Sequence, residues 1–256
     1  MMKDLQYIKL KFALNRVLAI AICLTVVSCK KSEDRKCFKG AGEYSEIYLP
    51  LDEIRAFNFG RNIKYRIYQD DGYKAIIKGG ENLIGNIEFE NIDDVLYLSN
   101  SNKCEYLRDS DEIVEVEIHY PDLTDFYIDA TDSVIFANQI ESYYFRVEMR
   151  NGGGSLYADV DVHTISMVVS HGAGDFTLEG KAKEAELKIQ NNGTANAIGF
   201  RSVYTYIFQN STADLYINLD NSSVGIFIDG TGDVFYNNTA ANIILQGVGS
   251  GQLIKL

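Results

Sequence analysis

The side chains from which this chain could build chemistry are few: three histidines, four cysteines and a set of aspartates beside glycine-rich turns. Asp175, Asp214 and Asp233 occupy matching places in successive turns, an arrangement that resembles calcium-binding β-rolls. Those proteins use a nonapeptide repeat to bring a carboxylate from every turn onto a shared ion. Here the repeat is about twice that length and half of the turns lack Asp, so turn geometry accounts for these residues more simply. His119, His163 and His171 each stand apart from any Cys or second His at ligand spacing, which argues against a zinc site or a histidine base. The acidic pairs Asp70-Asp71, Asp93-Asp94 and Asp111-Glu112 fall in turns. Polysaccharide-cleaving β-helices group carboxylates on one face, but among 36 acidic residues no pair stands out from solvated loop positions. The glycine-rich turns are followed by neither a Lys-Ser/Thr pair nor a helix, so they form no phosphate loop. No catalytic residue, metal ligand or cofactor is assigned, and the chain reads as a non-enzyme.

The N-terminus carries a different chemistry. Lys3, Lys9, Lys11 and Arg16 make a basic leader, and Val17 to Val27 is an almost wholly apolar run. That run is too short for a bilayer, which takes about 20 apolar residues. A basic segment followed by a short apolar one is the pattern of a secretory signal peptide. The run ends in Val26-Val27-Ser28-Cys29, which resembles the bacterial lipobox, whose cysteine receives lipid. Residues 1–28 therefore read as a lipoprotein signal peptide and Cys29 as the lipidation site; an ordinary signal peptide is the alternative. Several acyl chains on one residue, at about 0.8 kcal/mol per buried CH₂, anchor stably. Residues 29–39 read as a charged tether. Its acids resemble the surface-export signal of Bacteroidetes lipoproteins, and a plain linker explains them equally well.

Of the four cysteines, Cys23 leaves with the leader and Cys29 is modified. Cys37 and Cys104 remain, and in an exported protein a disulfide between them is expected, with two free thiols as the alternative. Residues 1–28 carry four positive charges and one negative, so their removal takes the formal net charge from −12 to −15. Such a chain repels phosphate backbones, which excludes nucleic acid as a partner, and offers no basic surface for docking on lipid headgroups. Membrane contact is expected through the lipid alone.

The elements that must position any binding surface are strands. Alternating runs such as Val114-Val116-Ile118, Phe145-Val147-Met149, Ile165-Met167-Val169, Tyr204-Tyr206-Phe208 and Val224-Ile226-Ile228 each give one apolar face. Proline is rare and tyrosine abundant, as suits continuous sheet. Gly-rich turns lead into Leu156, Phe176, Ala197, Leu215, Val234 and Leu253, spaced 20, 21, 18, 19 and 19. A second column, Met149, Val169, Ile189, Phe208 and Ile228, keeps the same period. Two interleaved columns with a period near 20 predict an all-β, single-stranded parallel β-helix of about 18–21 residues per coil. Both columns are expected to point into one core, with Gly, Asn and Asp supplying left-handed backbone at the corners. The less regular stretch 40–125 is expected to cap that core, with regular repeats over 126–256, so that 40–256 forms one domain.

The Gly-x-Gly-Asp-aliphatic repeats, the segment His119-Tyr120-Pro121-Asp122-Leu123 that enters them and the ending Gly249-Ser250-Gly251-Gln252-Leu253 resemble the putative auto-transporter adhesin head (GIN) domain of Bacteroidetes envelope lipoproteins. The resemblance covers roughly residues 50–256. It departs from the pattern at Asn192-Gly193-Thr194-Ala195 and Asn210-Ser211-Thr212. It implies a β-helix without catalytic residues, acting as an adhesin or surface binding module on an outer-membrane lipoprotein that faces either the periplasm or the cell surface. Alternating exposed Tyr, Asn and Thr are expected to contact a glycan or a partner protein. The alternative is a carbohydrate-active β-helix, binding or cleaving polysaccharide.

Overall fold

The computed structural model describes residues 40–103 and 113–256. The leader, the tether, Cys29, Cys37, Cys104 and the pair Asp111-Glu112 lie outside the described residues. Strands β1 (Tyr44–Pro50), β2 (Ala56–Phe59), β3 (Lys64–Tyr68) and β4 (Lys74–Gly80) precede a one-turn helix, α1 (Glu81–Ile84). Next come β5 (Ile87–Ile92), β6 (Val95–Asn100), β7 (Glu115–His119), β8 (Asp125–Ile128) and β9 (Val134–Phe136). Four long strands follow: β10 (Ile140–Met149), β11 (Ser155–Val169), β12 (Asp175–Asn191) and β13 (Thr194–Ser211). The chain finishes with β14 (Leu215–Asn218), β15 (Ser223–Ile228), β16 (Val234–Asn237), β17 (Asn242–Gln246) and β18 (Leu253–Lys255).

From β8 onward the strands stack in parallel, coil upon coil. Phe145 lies opposite Ile165, Ile165 opposite Ala185 and Ala185 opposite Thr205. On a second wall Val134, Leu156, Phe176, Ala195, Leu215, Val234 and Leu253 form one in-register column. The sequence period thus corresponds to a parallel β-solenoid, as expected. Two column members differ from the sequence reading. Ala195, not Ala197, stands between Phe176 and Leu215, although Ala197 is also buried. Gln209, not Phe208, stands opposite Ile189 and Ile228. Gln209 is fully buried while Phe208 faces outward and is half-buried. The reason is alternation: Leu187 pairs with Ile207 and fixes the register of β13, so 205, 207 and 209 point inward whatever their polarity.

The corners are only partly a matter of left-handed backbone. Positive φ occurs at Gly172 (88°) and Gly247 (126°), and at Asn191, Asn221 and Asn238. Gly232 and Gly251 do not share it. Instead, a Cβ on Gly232 would strike the Ala213 carbonyl of the coil below, and one on Gly251 would strike the Gly232 carbonyl. These glycines let corners stack at the strand spacing of about 4.8 Å.

The N-terminal part does not stack in chain order. β2 lies between β6 and β8, and β3 lies between β7 and β9. The coil made of β6 and β7 is therefore added on the outer side of the coil made earlier from β2 and β3. Antiparallel strands close that end: β5 pairs with β6, β4 with β7, and β1 with β4. The chain then passes back over the β2–β3 coil through Tyr120-Pro121-Asp122-Leu123. Tyr120 fastens this crossing, its hydroxyl donating to the Ile54 carbonyl (3.1 Å) and accepting from the Ile54 N–H (2.6 Å). The core runs continuously from this cap through the coils to Val234.

Candidate binding groove and its relatives

Because strand side chains alternate, every inward residue leaves a neighbour facing solvent, and parallel stacking aligns those neighbours into rows. Two outward rows cross the wall formed by the second halves of β10 to β13. One reads Tyr144, Thr164, Glu184, Tyr204; the other reads Arg146, Ser166, Glu186, Tyr206. Thr164 and Ser166 are short, so β11 forms a floor between taller neighbours. The result is a groove of about 430 Å³ lined chiefly by Tyr144, Thr164, Ser166, Glu184, Glu186, Tyr204 and Tyr206.

The two glutamates differ in their surroundings. Ser166 Oγ donates to Glu186 Oε2 at 2.8 Å and Lys188 Nζ lies 3.0 Å from Oε1. Partial burial pushes the Glu186 carboxyl up, but these hydrogen bonds, with the nearby charges of Lys188 and Arg146, hold it below the usual carboxylate range. Glu184 makes no hydrogen bond or ion pair with the described residues. Arg146 lies 3.3 Å from Glu148 and sits over the Tyr127 ring at 5.8 Å. Burial pushes the Tyr144 hydroxyl up, so it stays protonated and can both donate and accept.

One rim of the groove widens into an aromatic surface. Gly225 faces outward in the middle of β15, opposite Tyr206. With no side chain there, the Tyr206 ring lies across it, a ring carbon 3.5 Å from where a Cβ would stand. Tyr206 reaches Phe227 at 5.4 Å, and Phe227 lies 6.2 Å from Phe208 with the rings 25° apart. Tyr204 is 54% exposed and Tyr206 42%. Sequence reasoning singled out Tyr204, Tyr206 and Phe208 as an apolar strand face but assigned that face to the core; the polar yet inward Thr205 and Gln209 concealed the register.

The residues singled out from sequence are scattered. His119 Nδ1 lies 2.6 Å from Asp70 Oδ2 and its ring stacks on Tyr68 at 4.8 Å. Burial pushes the Asp70 carboxyl up, but hydrogen bonds from His119 and the Gly72 N–H hold it low. This pair ties the β3–β4 turn to the end of β7. His163 stacks on Tyr143 at 4.4 Å, and His171 lies exposed in a turn. Asp93 and Asp94 both take positive φ in the turn between β5 and β6. Asp214 accepts from the Asp233 N–H and Asp233 from the Gln252 N–H, both at 2.8 Å. These turn aspartates stitch each coil to the next. Asp175 is partly buried, which pushes its carboxyl up. Among the described residues no group of three His, Cys, Asp or Glu side chains is placed to hold a metal ion, and no helix is long and apolar enough to cross a membrane.

Solved structures share this architecture. A putative adhesin from Bacteroides fragilis is 20% identical, with a TM-score of 0.73 over 84% of this chain and 97% of that one. A putative adhesin from Parabacteroides merdae is 17% identical, with a TM-score of 0.60 over 85% and 98%. A putative lipid binding protein from Parabacteroides distasonis is 14% identical, with a TM-score of 0.54 over 84% and 97%. At such identities the agreement concerns the fold. No curated protein matches the chain. The family model described as "Putative auto-transporter adhesin, head GIN domain" matches residues 52–240, from before β2 to beyond β16, and the chain belongs to that family.

Proposed function

We propose that this protein is a non-catalytic binding module of the cell envelope, held to the outer membrane by lipid on Cys29 and presenting the outer wall of its solenoid to a ligand. The observation that carries this reading is the groove with its aromatic rim. Large rings left exposed in register, beside a carboxylate with no partner among the described residues, do nothing for the core and mark a recognition surface. Membership of an adhesin family supports the same class of function.

A hydrolytic reading rests on Glu184 and Glu186, which share a groove and sit two residues apart on one strand. Their Cα atoms are therefore roughly 7 Å apart, within reach of the separation that inverting glycosidases use. Such enzymes need one carboxyl raised so that it can act as an acid. Glu186 is held in the opposite direction by Lys188 and Ser166, so it does not supply that acid. Binding without cleavage is the reading that the groove favours.

The test is made on cells. Bacteria displaying the wild-type chain should incorporate fatty-acid label into it and adhere to a glycan-coated surface. Cys29→Ser should lose the label, appear in the medium and abolish the adhesion. A wild-type chain without label, or adhesion no greater than that of cells lacking the chain, overturns the reading. New reducing ends released from the coating would establish the hydrolytic alternative instead.

A further inference from the structure

Resting on the binding-module reading, we propose that the groove between Tyr144 and Tyr206, continued by the platform of Tyr206, Phe208 and Phe227, is the binding site for a neutral oligosaccharide chain. The surface runs across β10, β11, β12, β13 and β15. Four steps of about 4.8 Å make it roughly 19 Å long, enough for several linked sugar rings and too long for a single small molecule. A pyranose ring has an apolar face of C–H groups and a rim of hydroxyls that both donate and accept. The groove answers each feature. Two Tyr206 ring carbons lie 3.5 and 3.8 Å from where a Gly225 Cβ would stand, and the residue is 42% exposed, so the ring offers an apolar surface for stacking. Glu184, with no partner among the described residues, is an acceptor awaiting donors. Arg146 and Lys188 supply donors near Glu186, and the Tyr144 hydroxyl both donates and accepts.

Charge decides which ligand class fits. An acidic polysaccharide would bring its carboxylates or sulfates against Glu184 and against a chain whose net charge falls from −12 to −15 once residues 1–28 are removed. A lysine-rich peptide would gain from Glu184 and the tyrosines. It would also place its charges beside Arg146 and Lys188, which already compensate Glu148 and Glu186 at 3.3 and 3.0 Å. A neutral polyol uses donors and acceptors together and pays neither repulsion. The mixture of both signs along one aromatic-edged groove favours it.

The experiment uses the full chain in detergent micelles, titrated with neutral hexose pentasaccharides, with an oligogalacturonate of the same length and with decalysine. At least one neutral pentasaccharide should bind, and the other two probes should not compete with it. Tyr206→Ala should weaken that binding by about tenfold or more, through loss of the stacking face. Gly225→Val should weaken it comparably by lifting the Tyr206 ring, although Tyr206 itself is untouched. Tyr97→Ala, a change to an outward tyrosine on the distant β6, should leave binding unchanged, and thermal melts of all three variants should match the wild type. Preferential binding of oligogalacturonate or of decalysine overturns the proposal, and so does neutral binding that survives both Tyr206→Ala and Gly225→Val. If no pentasaccharide binds while cells displaying the chain still adhere, this inference falls and the binding-module reading stands. If the cells do not adhere, the wider reading falls as well.

Discussion

The early coils and the late coils solve the same packing problem with opposite materials. Around β2, β3, β8, β9 and β10 the phenylalanine rings and Tyr65 point inward, while the tyrosines of β8 and β10 face out. Phe126 stacks on Phe57 at 5.2 Å and meets Phe136 at 4.9 Å and Phe145 at 5.8 Å, while Phe59 stacks on Tyr65 at 4.2 Å. From β13 onward the rings point out, and Phe200 is the only fully buried aromatic among the described residues. Beside aliphatic residues such as Ile207, Leu215, Ile217, Val224 and Ile226, the interior there takes in small and polar side chains: Ala195, Ala197, Ser202, Thr205, Gln209, Ser211 and Ser222 are all buried. Thr205 Oγ1 links Ser202 and Ser222 in a chain of hydroxyls. Gln209 Nε2 donates to the Ala213 carbonyl at 2.6 Å, and Ser211 Oγ to that of Gly193 at 2.6 Å. Gln209 Oε1 is buried without a partner among the described residues. One period therefore tolerates both solutions, because stacked backbone hydrogen bonds hold each coil to its neighbours regardless of what fills it. In the late coils the aromatic surface is spent on the outside, which is why that end carries the platform of Tyr206, Phe208 and Phe227.

Three sets of substitutions separate the two solutions. In the early coils Phe126→Ala removes the ring on which four others rest and should lower the unfolding free energy by ~3–5 kcal/mol, read from chemical denaturation. A loss below about 1 kcal/mol would mean that the aromatic cluster is not what holds these coils.

In the late coils Thr205→Val conserves shape but cuts the hydroxyl chain, leaving Ser202 and Ser222 short of a partner. Its cost should be about 1–3 kcal/mol. The triple change Ser202→Ala, Thr205→Val, Ser222→Ala removes donors and acceptors together and should recover most of that loss. If the triple variant is less stable than Thr205→Val alone, the polar interior stabilises by more than mutual satisfaction.

The smallest effect belongs to the outward rings. Tyr206→Ala deletes a side chain as large as the buried ones, yet its stability should change by only about 0.5 kcal/mol. A change as large as that of Phe126→Ala would show that the platform is a displaced piece of core.

The period near 20, the Gly-rich corners and the alternation within strands were legible in the residues themselves, because each coil must repeat its backbone path to pair with the next. Fold class and coil length follow from that constraint alone. The repeated apolar positions also located most of the core, including Leu156, Phe176, Val169, Ile189 and Val234. Three things were decided only by the tertiary structure. The first is the phase of β13: apolar residue types favour Phe208 as the inward residue, but pairing of Ile207 with Leu187 turns Gln209 inward and Phe208 out. A shift of one residue exchanges the two faces of a strand, and composition cannot fix it where Tyr and Phe alternate with Thr and Gln. The second is the order of the early coils, since β6 and β7 come later in the chain but stack outside β2 and β3, a choice made by the antiparallel cap and the Tyr120 crossing. The third is the groove itself. Its residues come from four strands about 20 positions apart, and they become neighbours only because parallel register sets Tyr144 beside Thr164, Thr164 beside Glu184 and Glu184 beside Tyr204.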